Sequence, residues 1–338
     1  MTDIVSRISR RALIGAATLA TASAHAETRR RENMQADVQD AFARPKQIEA
    51  GVLNVGYVDL GASHAPPVLL LHGWPYDIYS FAEVAPLLVA RGYRVIVPYL
   101  RGYGSTRFVS SSAVRNAQQA ALAADTLALM DALHIQRAVV AGFDWGARTA
   151  VAVAALWPAR CKAIVPVSGY ILANLEANRR PLPPRAELGW WYQYYFATER
   201  GHLGYAQNTH EFGRLIWEKA SPTWHFDDET FNRSAAAFDN PDHADIVVHN
   251  YRWRLSLAEG EARYADLEAR LQQAPVVTVP TITIGSDFDG AAADGAGYRS
   301  KFSGPYEHRV LAGIGHNVPQ EAPQAFADAV IAADQLAA

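Results

Sequence analysis

The chain has 338 residues, 31 Lys and Arg against 34 Asp and Glu, a formal net charge of −3, and is 50% hydrophobic, 10% aromatic and 19% charged. That balance excludes a disordered chain, a collagen-like fibre and a polybasic nucleic-acid binder; the single cysteine, Cys161, excludes an internal disulfide framework and a cysteine-based structural zinc site. No apolar run reaches the ~18 residues of a membrane span, and the length suits one large domain or one domain carrying a sizeable insertion.

Residues 1–26 read as an export signal. Arg7, Arg10 and Arg11 give a basic start, Ala12 to Ala24 is uncharged, and Ala24-His25-Ala26 has the A-x-A form of a cleavage site. Arg10-Arg11 ahead of Ala12-Leu13-Ile14 resembles the twin-arginine signal of bacterial exporters. The expectation is a periplasmic or secreted bacterial protein, delivered by the twin-arginine export machinery and starting near Glu27.

Beyond it, short strands alternate with helices. Gly51 to Leu60 alternates apolar and polar residues, as an antiparallel edge strand does. Pro67–Leu71 and Tyr93–Pro98 are continuous apolar runs. Ala117 to Leu133 carries helical spacing at Leu122, Leu127, Met130 and Leu133. Ala138–Ala141 is a third buried strand, followed by a helix from Trp145 to Leu156 and a fourth strand over Ala163–Val167. Fully apolar strands between helices predict a mostly parallel α/β sheet flanked by helices.

From Tyr170 to Pro275 the strand pattern stops. This stretch holds five of the eight tryptophans (Trp190, Trp191, Trp217, Trp224, Trp253) and opens with Pro181, Pro183 and Pro184. It predicts a helical cap, or lid, over 170–275 on a core made of 27–169 and 276–338. Strands resume at Thr281–Ile284 and Arg309–Leu311, and a helix from Pro323 to Leu336 ends the chain.

Gly142-Phe143-Asp144-Trp145-Gly146 joins a buried strand to a helix, the setting of a nucleophile elbow. Asp144 stands where a serine is usual. A carboxylate there can displace at a saturated carbon and form an alkyl ester; the competing reading is a helix cap. No G-x-S-x-G sits in such a setting, which weakens an esterase reading. His72-Gly73-Trp74-Pro75 follows another strand end, where the Trp74 and Trp145 backbone N–H groups can hold an oxyanion. His72, Gly73, Trp74 and Trp145 are therefore the expected oxyanion and substrate-binding set. Gly313-Ile314-Gly315-His316-Asn317 follows the last strand, and the chain order nucleophile, acid, histidine makes His316 the base. Asp289 and Asp287 compete for the acid; Asp289 is preferred because Asp289-Gly290 forms a turn that can aim its carboxylate.

H-G-W-P, Arg101-Gly102-Tyr103-Gly104, G-F-D-W-G and G-I-G-H-N together resemble the α/β-hydrolase superfamily. Within it the Asp-Trp-Gly elbow is similar to that of epoxide hydrolases and haloalkane dehalogenases. Tyr192-Gln193-Tyr194-Tyr195-Phe196 resembles the epoxide hydrolase Y-Q-x-Y-F segment, which implies that Tyr192 hydrogen-bonds the epoxide oxygen; Tyr251-Arg252 resembles the segment with the second such tyrosine, which implies the same for Tyr251. The sequence departs from the pattern at Phe143, often a histidine. Arg148 is similar to the second arginine of fluoroacetate dehalogenases, but Trp145 holds the place of the first; Arg148 is expected to be an ion-pair partner on its helix.

The resemblance implies an α/β-hydrolase fold with a helical cap insertion that opens an epoxide to a vicinal diol through an Asp144 ester. Two alternatives stand: a haloalkane or haloacid dehalogenase using the same Asp144, His316 and Asp289, and a non-catalytic ligand-binding member of the fold. No metal or organic cofactor is expected. The expected partner is a small apolar or aromatic substrate, with no nucleic acid and no membrane span. The oligomeric state is open, a homodimer included.

Overall fold

The structure, a computed structural model, describes residues 35–288 and 295–337. The export signal and Asp289 lie outside the described residues. A helix over 35–43 (α1) leads into a nine-stranded sheet. Its strands are β1 (Lys46–Ala50), β2 (Leu53–Leu60), β3 (Pro67–Leu71), β4 (Arg94–Pro98), β5 (Arg107–Phe108), β6 (Ala138–Gly142), β7 (Cys161–Pro166), β8 (Thr281–Ser286) and β9 (Tyr306–Leu311). The spatial order is β1-β2-β4-β3-β6-β7-β8-β9, with β5 on β2. β1, β2 and β5 pair antiparallel, and everything from β4 to β9 is parallel.

Burial explains the parallel part. Val68, Leu69, Leu70 and Leu71 of β3 are all fully buried, each contributing about 1.5–3 kcal/mol of apolar transfer. Helices cover both faces: α2 (Val84–Val89), α3 (Gln119–Ala132), α4 (Trp145–Leu156) and, after three further strands, α13 (Val318–Glu321) and α14 (Pro323–Gln335). Between β7 and β8 lie eight helices and no strand: α5 (Leu175–Asn178), α6 (Pro184–Gly189), α7 (Trp191–Ala197), α8 (Glu199–Gln207), α9 (Thr209–Ala220), α10 (Asp228–Ala235), α11 (His243–Arg254) and α12 (Ala265–Gln272). No helix of the described residues is long and apolar enough to cross a membrane.

Two elements differ from the sequence expectation. Gly51 is not in a strand. Gly51-Val52 is the two-residue turn of a β1–β2 hairpin, with Ala50 opposite Leu53 and Gly51 at φ +63°, a conformation glycine adopts without strain. β1 itself, Lys-Gln-Ile-Glu-Ala, is mostly exposed and lacks the apolar run of β3, β4 and β6. β9 starts three residues earlier than expected, because its half-exposed Tyr-Glu-His residues pair with Thr281, Ile282 and Thr283.

Register sets up the site. Leu71 of β3 lies opposite Gly142 of β6. The turns that leave these two strands therefore emerge side by side at the carboxyl edge of the sheet, where α/β folds place their ligands.

Candidate active site

Asp144 sits in the turn between β6 and α4 at φ 50° and ψ −120°, a conformation that costs a non-glycine residue of order 1–3 kcal/mol. The flanking glycines make the turn: a Cβ on Gly146 would lie 1.8 Å from the Leu71 carbonyl oxygen, and one on Gly142 2.5 Å from it. Asp144 precedes α4 but makes no side-chain capping bond to it. Its Oδ1 instead accepts the Trp74 backbone N–H at 2.8 Å, so the carboxylate serves the site and not the helix.

Burial by itself would raise the Asp144 pKa. Hydrogen bonding and charge from His316, the charge of Arg148 and the Trp74 N–H outweigh it and hold the carboxyl below its usual range. Asp144 is thus ionised and close to its donors at neutral pH. Trp145 opens α4, and a first-turn N–H has no intrahelical partner. Both backbone donors expected for an oxyanion flank the carboxylate.

His72 and Gly73 take other roles than expected. The His72 ring is fully buried; its Nε2 accepts the Leu100 N–H at 3.1 Å and its Nδ1 donates to the Gly73 carbonyl at 2.9 Å. Burial pushes its pKa down to about 4. His72 is a neutral pin inside the turn, with both nitrogens occupied by backbone, and does not face substrate. Gly73 makes room: a Cβ there would lie 2.4 Å from Asp144 Cβ.

His316 follows β9, with Nε2 3.5 Å from Asp144 Oδ2. Its ring packs on Phe288, centroids 4.5 Å apart. The loop is tied at both ends by residues the motifs did not reveal. Ser221, just past α9, accepts the His316 N–H at 3.0 Å through its hydroxyl oxygen. Glu321 accepts that hydroxyl at 2.6 Å, the Gly315 N–H at 2.7 Å and the Asn317 N–H at 3.0 Å. Asp287 is exposed; its Oδ2 accepts the Gly313 N–H at 2.7 Å and its own N–H donates to the Ile314 carbonyl. Asp287 braces the backbone that carries His316.

Tyr192 of α7 and Tyr251 of α11 come together over this centre. Their ring centroids are 5.2 Å apart, and 5.0 and 5.1 Å from the Trp74 ring. Both phenols are raised above the usual tyrosine range, first by burial and then by nearby negative charge that includes Asp144. They are neutral hydrogen-bond donors at any physiological pH. A buried relay backs Trp74: its indole N–H donates to the Tyr205 hydroxyl at 2.8 Å, Tyr205 pairs with His243 Nε2 at 2.8 Å, and His243 Nδ1 with the Gly102 carbonyl at 2.9 Å. Burial pushes the His243 pKa down to about 3, so the ring is neutral. Its Nδ1–H donates to Gly102, leaving Nε2 to accept from Tyr205.

Arg148 departs from expectation. Its Nε donates to the Ile171 carbonyl at 3.0 Å, while Nη1 is buried without a hydrogen-bond partner. Among the described residues no carboxylate is in ion-pair contact with it.

The space above Asp144 is tight, a cleft of about 40 Å³ lined by Trp74, Trp190, Tyr192, Phe288 and His316 among others. A larger cavity of about 620 Å³ lies on the other side of Trp190 and does not reach Asp144. The chemistry belongs to the small cleft, because that is where nucleophile, base and donors converge.

The sequence profile of the alpha/beta hydrolase fold matches residues 66–318. The chain belongs to the α/β-hydrolase fold family. A "putative epoxide hydrolase" from Klebsiella pneumoniae has a crystal structure similar to this one, with a TM-score of 0.85 and 59% identity over 87% of this chain and 98% of that one. Epoxide hydrolase B of Mycobacterium tuberculosis is 36% identical over 149 residues, which span 40% of this chain and 41% of that enzyme. A Burkholderia fluoroacetate dehalogenase is 37% identical over 111 residues, 32% of this chain and 35% of that enzyme. A laboratory-evolved variant of potato epoxide hydrolase, 22% identical over 86% of this chain and 98% of that one, shares the α/β-hydrolase fold at a TM-score of 0.69.

Proposed function

We propose that this protein hydrolyses an epoxide to a vicinal diol through an ester on Asp144. The observation that carries this reading is the placing of two buried, neutral tyrosines, Tyr192 and Tyr251, beside an ionised Asp144. An epoxide oxygen is a poor leaving group until a donor meets it, and two phenols can hold and protonate the forming alkoxide. Asp144 attacks a ring carbon; the C–O bond of the ring breaks as a new C–O bond to the carboxylate forms, and the alkoxide takes a proton from a tyrosine. His316, oriented by Asp289, then takes a proton from water. The hydroxide adds to the ester carbonyl and the Trp74 and Trp145 N–H groups hold the oxyanion; collapse expels the second diol oxygen, which takes the proton left on the carboxyl, and the proton held by His316 returns to the tyrosinate, so Asp144, His316 and the tyrosine are all restored.

The dehalogenase reading keeps one point in its favour: the Trp145 indole N–H is buried near the Tyr251 side chain without a close hydrogen bond of its own, a donor suited to a halide. Turnover of styrene-type and aliphatic epoxides beside haloalkanes, in heavy-oxygen water, separates the two. Label should enter Asp144 over repeated turnovers. Tyr192→Phe with Tyr251→Phe should cost epoxide opening ~10²–10³-fold, the scale of lost oxyanion donors. Equal epoxide turnover in the double variant would overturn the reading. The signal-like start at Arg10-Arg11 supports placing this activity outside the bacterial cytoplasm; periplasmic recovery of a shortened chain is the check.

A further inference from the structure

The end of α9 belongs to the insertion, yet it holds the base of the core. Ile216, Lys219 and Ala220 line the cleft over Asp144. The residues that follow bind the loop carrying His316. The His316 N–H is shared between the Ala220 carbonyl at 3.1 Å and the Ser221 hydroxyl oxygen at 3.0 Å. Thr223 Oγ1 donates to the Gly313 carbonyl at 3.2 Å. The two segments also touch: a Cβ on Gly315 would lie 2.6 Å from Ser221 Cα. Glu321, at the end of α13, completes the joint. Its carboxylate gathers the Ser221 hydroxyl and the N–H groups of Gly315 and Asn317, bonds strengthened by the acceptor's charge. Those two amides bracket His316 in the chain, so the joint fixes the backbone that carries the imidazole.

Asp144 takes no part in this joint. Its Oδ1 is held by the Trp74 N–H, from the turn that leaves β3, and Tyr192 and Tyr251 stand on α7 and α11. The two halves of the reaction therefore rest on different supports. Ester formation needs Asp144 and the tyrosines. Ester hydrolysis needs His316, whose backbone is shared with the insertion through Ser221, a side chain only 1% exposed.

We propose that Ser221 and Glu321 are positioning residues for the second half of the reaction. They hold His316 where it takes a proton from the water that adds to the Asp144 ester, and they make that geometry depend on how the end of α9 is seated on the core. A misplacement of ~1 Å is enough to cost a catalytic group ~10²-fold. The inference rests on the ester of the epoxide reading and deepens it: the insertion that encloses the substrate also sets the base that frees the product.

Rapid mixing with a styrene-type epoxide, followed by tryptophan fluorescence and by the intact mass of acid-quenched samples, separates the two steps. In Ser221→Ala, ester formation should stay within about twofold of wild type while ester hydrolysis slows about tenfold. An adduct with the mass of enzyme plus epoxide should build up, and kcat and KM should fall together with kcat/KM nearly unchanged. Glu321→Gln keeps one carbonyl acceptor and loses the other, and should act in the same direction. Ester formation slowed as much as hydrolysis, or a lower kcat at unchanged KM with no adduct, would overturn the proposal. Hydrogen exchange needs no substrate: amides over 313–317 should exchange about tenfold faster in Ser221→Ala, with those of α11 as in wild type, and unchanged exchange over 313–317 would also overturn it. If epoxides leave no adduct in wild type, in Ser221→Ala or in His316→Gln, the epoxide reading falls. A haloalkane, which leaves the same kind of ester on Asp144, then carries the same comparison of the two steps.

Discussion

Asp144 holds its charge while Asp77, in the turn that leaves β3, loses it, and the difference lies in their neighbours. Asp144 has His316, Arg148 and the Trp74 N–H around it. Asp77 is fully buried, with the Ser234 hydroxyl, the Tyr79 N–H and the charge of Arg233 to help; burial outweighs them and raises its pKa to about 8. The sign follows from linkage. The folded state keeps the proton, so the stability this gives is complete below the ordinary value of 3.8 and drains away as pH rises to about 8. Asp77→Asn keeps an acceptor for Tyr79 and cannot ionise. Its stability gain over wild type should grow from about pH 4 and level off above about pH 8. Thermal denaturation across that range is the check, and a gain independent of pH would contradict it. At this scale most of the site was legible in sequence. Asp144, His316, Trp74, Tyr192 and Tyr251 each sit in a local pattern that names a role. His72 was misread because its neighbours in sequence suggest a substrate-facing turn, whereas its ring turns inward to the Leu100 backbone 28 residues on. Ser221 and Glu321 were not legible at all, since they meet each other across 100 residues of sequence.

The elements show the same division. β3 and β6 could be read directly because burial on both faces leaves a continuous apolar run, and β7 and β8 because they are buried along nearly their whole length and carry Ile and Val at their centres or at alternate positions. β1 and α1 could not, because an exposed edge strand and an exposed helix need only a few buried residues, such as Ala50, Val38 and Phe42. α8 and α11 carry more than their aromatic composition suggested. Tyr205 on α8 and His243 on α11 link the Trp74 indole to the Gly102 carbonyl of the core. Tyr205→Phe removes the middle of that relay and leaves a buried indole N–H and an imidazole nitrogen unpaired, at about 1–3 kcal/mol. Thermal denaturation should show that loss. Because Trp74 also supplies the backbone donor to Asp144, kcat should fall roughly tenfold, ~1.4 kcal/mol of barrier, with KM changed much less. An unchanged kcat would show that the relay supports only the fold.

Across the whole molecule, the segment between β7 and β8 is stitched to the core unevenly. Trp217 donates to the Pro75 carbonyl at 2.7 Å, Asn240 to the Thr106 carbonyl at 2.7 Å and Asn250 to the Ala117 carbonyl at 2.5 Å. Ser221 joins the His316 loop directly. By contrast α5 and α6 bury no residue at all. Regions with little buried apolar surface open at low free energy, so backbone amides over 176–189 should exchange with solvent faster than those of α9 and α11. Hydrogen exchange read by mass spectrometry checks this; equal protection would refute it. Trp190 is the residue at which α6 ends. The panel that separates the roomy cavity from the catalytic cleft is therefore mounted on the loosest corner of the enclosure, while the histidine side is bolted down. Traffic of substrate and product would pass that corner without disturbing the groups around His316. A turnover rate limited there would slow in viscous solvent and stay almost unchanged in heavy water.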